Sequence, residues 1–382
     1  MKRFLRRRFV RSGAAGILLS VLVLAGAIVS GCGSADYRPR AVGQEGEIVI
    51  VIDSTDWSGS IGEAIKGTVG RYIKTLPAPE RQFDLRQVDL VSERDLEMAR
   101  RHKNVIFVAS LSDSTNEARY MKNVFDSTAQ QAIREGGGTA ISRENIFRRD
   151  QQVYYITGVD TDDVVDVIES RSDELSRAFN TITRRRLEAD MFDRGRQHEI
   201  EDYLMEEHGF AVNVQHDYQV AIDTTNFIWL RRILPETWRS LFIYYVDNAD
   251  PAQLDPEWVL ATRDSLTREH VQGNLGGWVE VDRRDIQPLE SENIGFLGRY
   301  GFETRGLWQM VGLEGGELIQ FGMGGPFLNY SFYDRETGRL YMIDGMVFAP
   351  GYNKREFLRQ LEVIAHTFRT REEAQPAVAR SE

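Results

Sequence analysis

The chain has 382 residues, of which 42% are apolar and 27% charged, enough apolar content for two cores rather than one. Its net charge of −11 repels nucleic acid and anionic head groups, and so excludes both as general partners. Cys32 is the single cysteine, which rules out a disulfide within the chain and leaves apolar burial to hold the fold.

The leader comes first. Lys2, Arg3, Arg6, Arg7, Arg8 and Arg11 precede an apolar stretch at residues 17–29 that is too short for a comfortable membrane span. Small residues Ser30 and Gly31 then precede Cys32. This order resembles the bacterial lipoprotein signal. It implies cleavage after Gly31, a diacylglyceryl thioether on Cys32, and palmitate-type chains that attach the protein to a membrane. Loss of the leader's six cations and no acids takes the net charge from −11 to −17, so the membrane affinity has to come from acylation. The expected location is the cell envelope, on the periplasmic side of the outer membrane. Residues 1–31 are thus assigned to the signal. Residues 32–46, polar and without apolar period, are assigned to a flexible tether.

An N-terminal unit is expected over residues 47–195. The runs Ile48-Val49-Ile50-Val51-Ile52 and Val105-Ile106-Phe107-Val108 are continuous and rich in β-branched residues, as in strands buried on both faces. Between them, Ile61, Ala64, Ile65, Val69, Tyr72 and Ile73 share one helical face, with Ser58 as a cap and Pro77 as a stop. A helix over 118–134 closed by Gly136-Gly137-Gly138, a strand at Tyr154-Tyr155-Ile156, and a long helix capped by Thr161 complete an alternating α/β pattern. Residues 184–208, strongly charged and helix-forming, serve as the connector between the halves.

A C-terminal unit is expected over residues 196–370, followed by a disordered tail at 371–382. Short aromatic-rich strands at 218–222, 227–232 and 241–246 predict an antiparallel sheet, continued by 302–310, 318–332 and 340–348. Asp255-Pro256 suits a helix start, and Phe357, Leu358, Leu361, Ile364 and Phe368 mark a final helix over the sheet. The fold class expected is therefore α/β plus α+β: an alternating unit followed by an antiparallel sheet sandwiched by helices.

The segments Trp57-Ser58-Gly59-Ser60-Ile61-Gly62-Glu63-Ala64-Ile65, Asn226-Phe227-Ile228-Trp229-Leu230-Arg231-Arg232, Arg305-Gly306-Leu307-Trp308, Met323-Gly324-Gly325-Pro326-Phe327-Leu328-Asn329-Tyr330 and Asp344-Gly345-Met346-Val347-Phe348-Ala349-Pro350 occur in that order, followed by Lys354-Arg355-Glu356. In these segments the chain resembles an uncharacterised family of bacterial envelope lipoproteins, the domain of unknown function 4837. The resemblance implies a two-part lipoprotein with no assigned activity, cofactor or catalytic residue. The second half also resembles the antiparallel sandwich of the extrinsic photosystem PsbP proteins, an analogy of fold that transfers no function.

No constellation of residues points to catalysis. His198-Glu199-Ile200-Glu201-Asp202 lacks the second histidine that would face a metal one turn on, and it reads as a solvated acidic helix. No serine occupies a Gly-x-Ser-x-Gly elbow. Trp57-Ser58-Gly59-Ser60 reads as helix capping before anion binding. The run Gly322-Met323-Gly324-Gly325-Pro326 predicts a bulge, a close backbone approach, and an edge or distorted strand. Trp229, Trp238, Trp258, Trp278 and Trp308 suit either core packing or a binding face. Lys354-Arg355 at a helix start opposes the helix dipole, a local inconsistency that suits a binding site, although a solvated face is the first reading of such a charge pair.

The reading is a lipid-anchored envelope protein acting as a non-catalytic binding or assembly module. It takes no metal and no cofactor, its partner is an envelope protein or ligand, and a partner surface is expected around Trp308, Gly324, Gly325, Lys354 and Arg355. A second reading is an envelope hydrolase or transferase with its site between the halves. A third is a substrate-capturing lipoprotein of a transporter.

Overall fold

The computed structural model describes residues 36–273, 276–284 and 289–374. The first apolar run forms β1 (Glu47–Val51), which is paired in parallel with β2 (Asp84–Val88) on one side and with β3 (Asn104–Ser110) on the other. β4 (Thr139–Glu144) and β5 (Gln152–Gly158) complete a sheet of order β2-β1-β3-β5-β4, in which only β4 runs antiparallel to its neighbour. Alternation along the strands sorts the side chains between two cores. Ile48, Ile50, Ile106, Val108, Tyr154 and Ile156 meet α2 (Ser60–Thr68), α6 (Thr161–Ser170) and α7 (Ser172–Asp193). Val49, Val51, Val105, Phe107, Val153 and Tyr155 meet α3 (Glu93–Ala99), α4 (Asn116–Val124) and α5 (Ser127–Gly136) on the other face.

Several expected helices are subdivided, each for a local reason. The helix expected over 118–134 breaks after Phe125 because the Asp126 carboxylate accepts from the Ala129 N–H and starts a new helix. Asp160, not Thr161, caps α6 by accepting from Asp163 N–H. Ser58 is the last residue of the short α1 (Ser54–Ser58), which Asp53 caps, while Gly59 precedes α2. Gly62 is obligatory there, since a side chain would overlap the Trp57 carbonyl.

The second half is an antiparallel sheet in which β10 (Trp278–Val281), β12 (Arg299–Glu314), β13 (Glu317–Asp334), β14 (Arg339–Phe348), β9 (Trp238–Val246), β8 (Phe227–Ile233) and β7 (Gln219–Asp223) follow in that order; β11 (Glu290–Phe296) pairs with the first half of the long β12. α9 (Pro256–His270) covers one face and α10 (Arg355–His366) the other, which is the expected sandwich. α8 (His198–His208) leads into β6 (Phe210–Ala211), which pairs with β15 (Arg369–Thr370).

Three expectations need correction. Residues 41–46 are not a flexible tether: Ala41 and Val42 N–H donate to the Arg149 and Arg101 carbonyls, and the Glu45 carboxylate pairs with Arg186, so the chain is docked before β1, while residues 32–35 lie outside the described residues. Residues 371–374 are not a disordered tail, because α11 (Arg371–Ala374) follows β15 directly and its Glu373 accepts from the Thr370 N–H; residues 375–382 lie outside the described residues. The glycine-proline run belongs to the central β13, not to an edge. The bulge is present where the register slips between Gln309–Gly324 and Val311–Gln320, and Gly322 takes the left-handed φ of 68°.

The halves are joined by a loop and a helix start. Residues 71–82 form a loop closed by a Tyr72–Arg81 bridge, and it carries Leu76 into the core of the second half. Glu80 from this loop accepts from the N–H groups of Lys354 and Arg355 at 2.7 and 2.9 Å, capping α10 from across the boundary. Arg355 reaches back to the Arg81 carbonyl and the Asp84 carboxylate, and Arg359 to the Gln82 carbonyl.

Candidate functional site

Beside this junction lies a cleft of about 790 Å³, walled by both halves. Its walls follow from simple periodicities. α7 presents Arg177, Asn180, Thr181 and Arg184, spaced to share one helical face, and α10 presents Arg355, Leu358, Arg359 and Glu362 with the same spacing. The loop adds Arg71, Lys74 and Thr75. From the sheet, β11 gives Glu290 and Glu292 and β12 gives Glu303 and Arg305. Register places Glu290 opposite Arg305 and Glu292 opposite Glu303, so all four project from one face.

Glu362 is the centre of the floor. Arg184 of the first half donates to its Oε1 at 2.9 Å, and Arg305 of the second half to its Oε2 at 3.3 Å. Arg305 also donates to Glu303. Burial by itself would raise Glu362, but Arg305 above all, with His366, Arg184 and Arg359, outweighs it and holds the carboxyl at about 2. Tyr330, cross-strand from Glu303, is 1% exposed, and its hydroxyl has no hydrogen-bond partner among the described residues. Burial, then Glu303 and Glu362, push this phenol far above its ordinary value.

The rim differs from the floor. Lys74 and Arg177 are exposed and have no ion-pair partner among the described residues, and Arg71 has only the Gln82 amide oxygen at 3.1 Å and a distant Asp173 at 3.9 Å. Glu290 and Glu292 on the facing lip are equally exposed and unpaired.

Of the residues expected to form a partner surface, only Arg355 reaches this cleft. Trp308 is 5% exposed, donates its indole N–H to the Val347 carbonyl at 3.2 Å and acts in packing. Gly325 is needed because any side chain would overlap that same carbonyl, and Gly324 lies against the Trp308 carbonyl. Lys354 turns its ammonium to the Tyr352 carbonyl at 2.6 Å. The five therefore do not converge on one exposed face. Cys32 lies outside the described residues. In the acidic helix, Glu201 is not solvated as expected: it is buried and bonded to Arg196 and to the Val214 N–H at 2.9 Å. Among the described residues no group of three or more His, Cys, Asp or Glu side chains is placed to hold a metal ion, and no helix is long and apolar enough to cross a membrane.

The two halves match two separate family models. Residues 41–192 match a domain of unknown function, DUF8532, and residues 197–367 match a second, DUF4837. Neither match spans half of the chain; the family expected from the sequence covers only the second half, while the first half, with the segment at residues 57–65, matches a different model, and the boundary between the two at residues 193–196 coincides with the end of α7. No curated protein is significantly similar in sequence. Among solved structures, the Saccharomyces cerevisiae Ran-binding protein Mog1p overlaps 43% of this chain and 90% of its own, at 9% identity and a TM-score of 0.29. A protein from Bacteroides thetaiotaomicron overlaps 44% of this chain and 47% of its own, at 10% identity and a TM-score of 0.23. Superpositions this loose do not bear on function.

Proposed function

We propose that this chain is a lipid-anchored binding module of the bacterial cell envelope, and that its ligand is a small polar molecule with an anionic group, held in the cleft between the halves. The observation that carries the reading is the charge of that cleft: seven arginine and lysine side chains against four glutamates, in a protein whose net charge is −11. A local excess of cations inside an acidic molecule focuses an attractive field on one concave site and repels anions elsewhere. A volume of about 790 Å³ is in the range of small-molecule pockets. The leader ending at Cys32 supports the envelope location, since two or three acyl chains give stable attachment where one does not.

Two measurements test this. Metabolic labelling with a palmitate analogue and intact-mass analysis are expected to show acylation in the wild type and none in Cys32→Ala; an unacylated wild type would remove the anchor. Thermal melting of the detergent-solubilised full-length protein against carboxylates, phosphate and sulfate is expected to show saturable stabilisation that Lys74→Ala with Arg177→Ala abolishes. If no anion stabilises the wild type, the cleft is not the binding site.

A further inference from the structure

The unpaired charges of the cleft are sorted by wall: cations on the first half, carboxylates on the second. Lys74 and Arg177 face the opening from one side, Glu290 and Glu292 from the other, and none of the four has a partner among the described residues. The sorting is costly on the acidic side. Glu292 stands directly opposite Glu303 across the β11–β12 ladder, a like-charge pairing that disfavours the sheet. The neighbouring Arg305 stands opposite Glu290 in the ladder but directs its hydrogen bonds to Glu303 and Glu362, so neither Glu290 nor Glu292 gains an ion pair from it. A simple anion entering such a cleft is attracted by one wall and repelled by the other, whereas a ligand with both charges is attracted at each end.

We infer that the cleft takes a dipolar ligand with both an acid and an amine: a carboxylate bound by Lys74 and Arg177, and an ammonium bound by Glu290 and Glu292. This rests on the cleft being the ligand site, and the experiment separates the two claims. Calorimetric titration of the full-length protein in detergent uses three probes: the dipeptide glutamyl-lysine, glutarate, which lacks an amine, and 1,5-diaminopentane, which lacks a carboxylate. The dipeptide is expected to bind about tenfold or more tightly than either of the others, with the advantage shrinking as salt rises. Glu290→Gln with Glu292→Gln is expected to erase that advantage and to leave glutarate binding equal or stronger. Lys74→Ala with Arg177→Ala is expected to weaken dipeptide and glutarate alike. If glutarate binds as tightly as the dipeptide and the glutamine pair changes neither, the dipolar assignment fails while the anion site stands. If none of the three binds saturably, the cleft itself fails as a site.

Discussion

The two faces of the antiparallel sheet each carry an arginine–carboxylate cluster, and their settings are opposite. Under α9, Arg263 donates to Asp344 at 2.8 Å with both side chains 0% exposed, Asn329 adds a bond at 2.9 Å, and the guanidinium lies 3.9 Å over the Phe327 ring. Burial pushes the Asp344 carboxyl above its ordinary range, and Arg263 counters this only in part. Under α10, Arg184 and Glu362 meet at 2.9 Å but keep 25% and 17% of their side-chain surface, because the cleft opens onto them. The same chemical pair is thus sealed on one face and open on the other. A sealed pair serves the architecture alone, whereas a pair bordering a cleft can exchange part of its bonding with a ligand.

Substitutions test this contrast directly. Asp344→Ala leaves Arg263 charged and unpaired in the interior and is expected to cost about 3–5 kcal/mol in urea denaturation, whereas Arg263→Met with Asp344→Leu is expected to recover more than half of that loss. Gly325→Val, beside the apolar layer of the same face, forces a side chain onto the Val347 carbonyl and is expected to cost about 1–3 kcal/mol by the same assay. A smaller loss, about 1–2 kcal/mol, is expected for Glu80→Ala, which deprives α10 of the carboxylate capping its first N–H groups.

The open face should show itself in acid. Glu362 sits at about 2 in the fold against 4.5 for an unperturbed glutamate, so its contribution is complete above pH 4.5 and is lost as pH falls toward 2. Glu362→Gln is expected to flatten the acid limb of a stability–pH curve in that window and to leave its shape unchanged at neutral pH. Least of all, Lys74→Ala with Arg177→Ala is expected to move stability by no more than about 0.5 kcal/mol, since neither residue has an ion-pair partner to lose. A large loss there would mean that the rim cations hold the halves together.

One sequence signal shows how far reading without a structure can go. Lys354-Arg355 was notable because two cations oppose the dipole at a helix start. The inconsistency does mark a contact, but one within the chain: Glu80, some 270 positions away, supplies the missing anion, and Arg355 completes the junction with Asp84. Local propensity registers the conflict and has no means of naming the residue that resolves it.

The chain order of the elements was legible because its causes are local. The β-branched run at Ile48 to Ile52, the spacing of Phe357, Leu358, Leu361 and Ile364, and the Asp255-Pro256 start all act through neighbours a few residues away, and all form as expected. The edge strands β2 and β4 were not legible, because they are short and half exposed and their apolar alternation is weak. The cleft was beyond reach for a different reason. Its walls come from residues 71–82, 177–184, 290–305 and 355–362, and each taken alone is an ordinary charged face. By itself the sequence determined the two halves and most of their strands and helices, since periodicity and capping act over one or two turns. Only the tertiary structure decided which charges are sealed, which are paired across the junction, and which are left facing one another over a cleft, because pairing depends on distances between segments that no local pattern encodes.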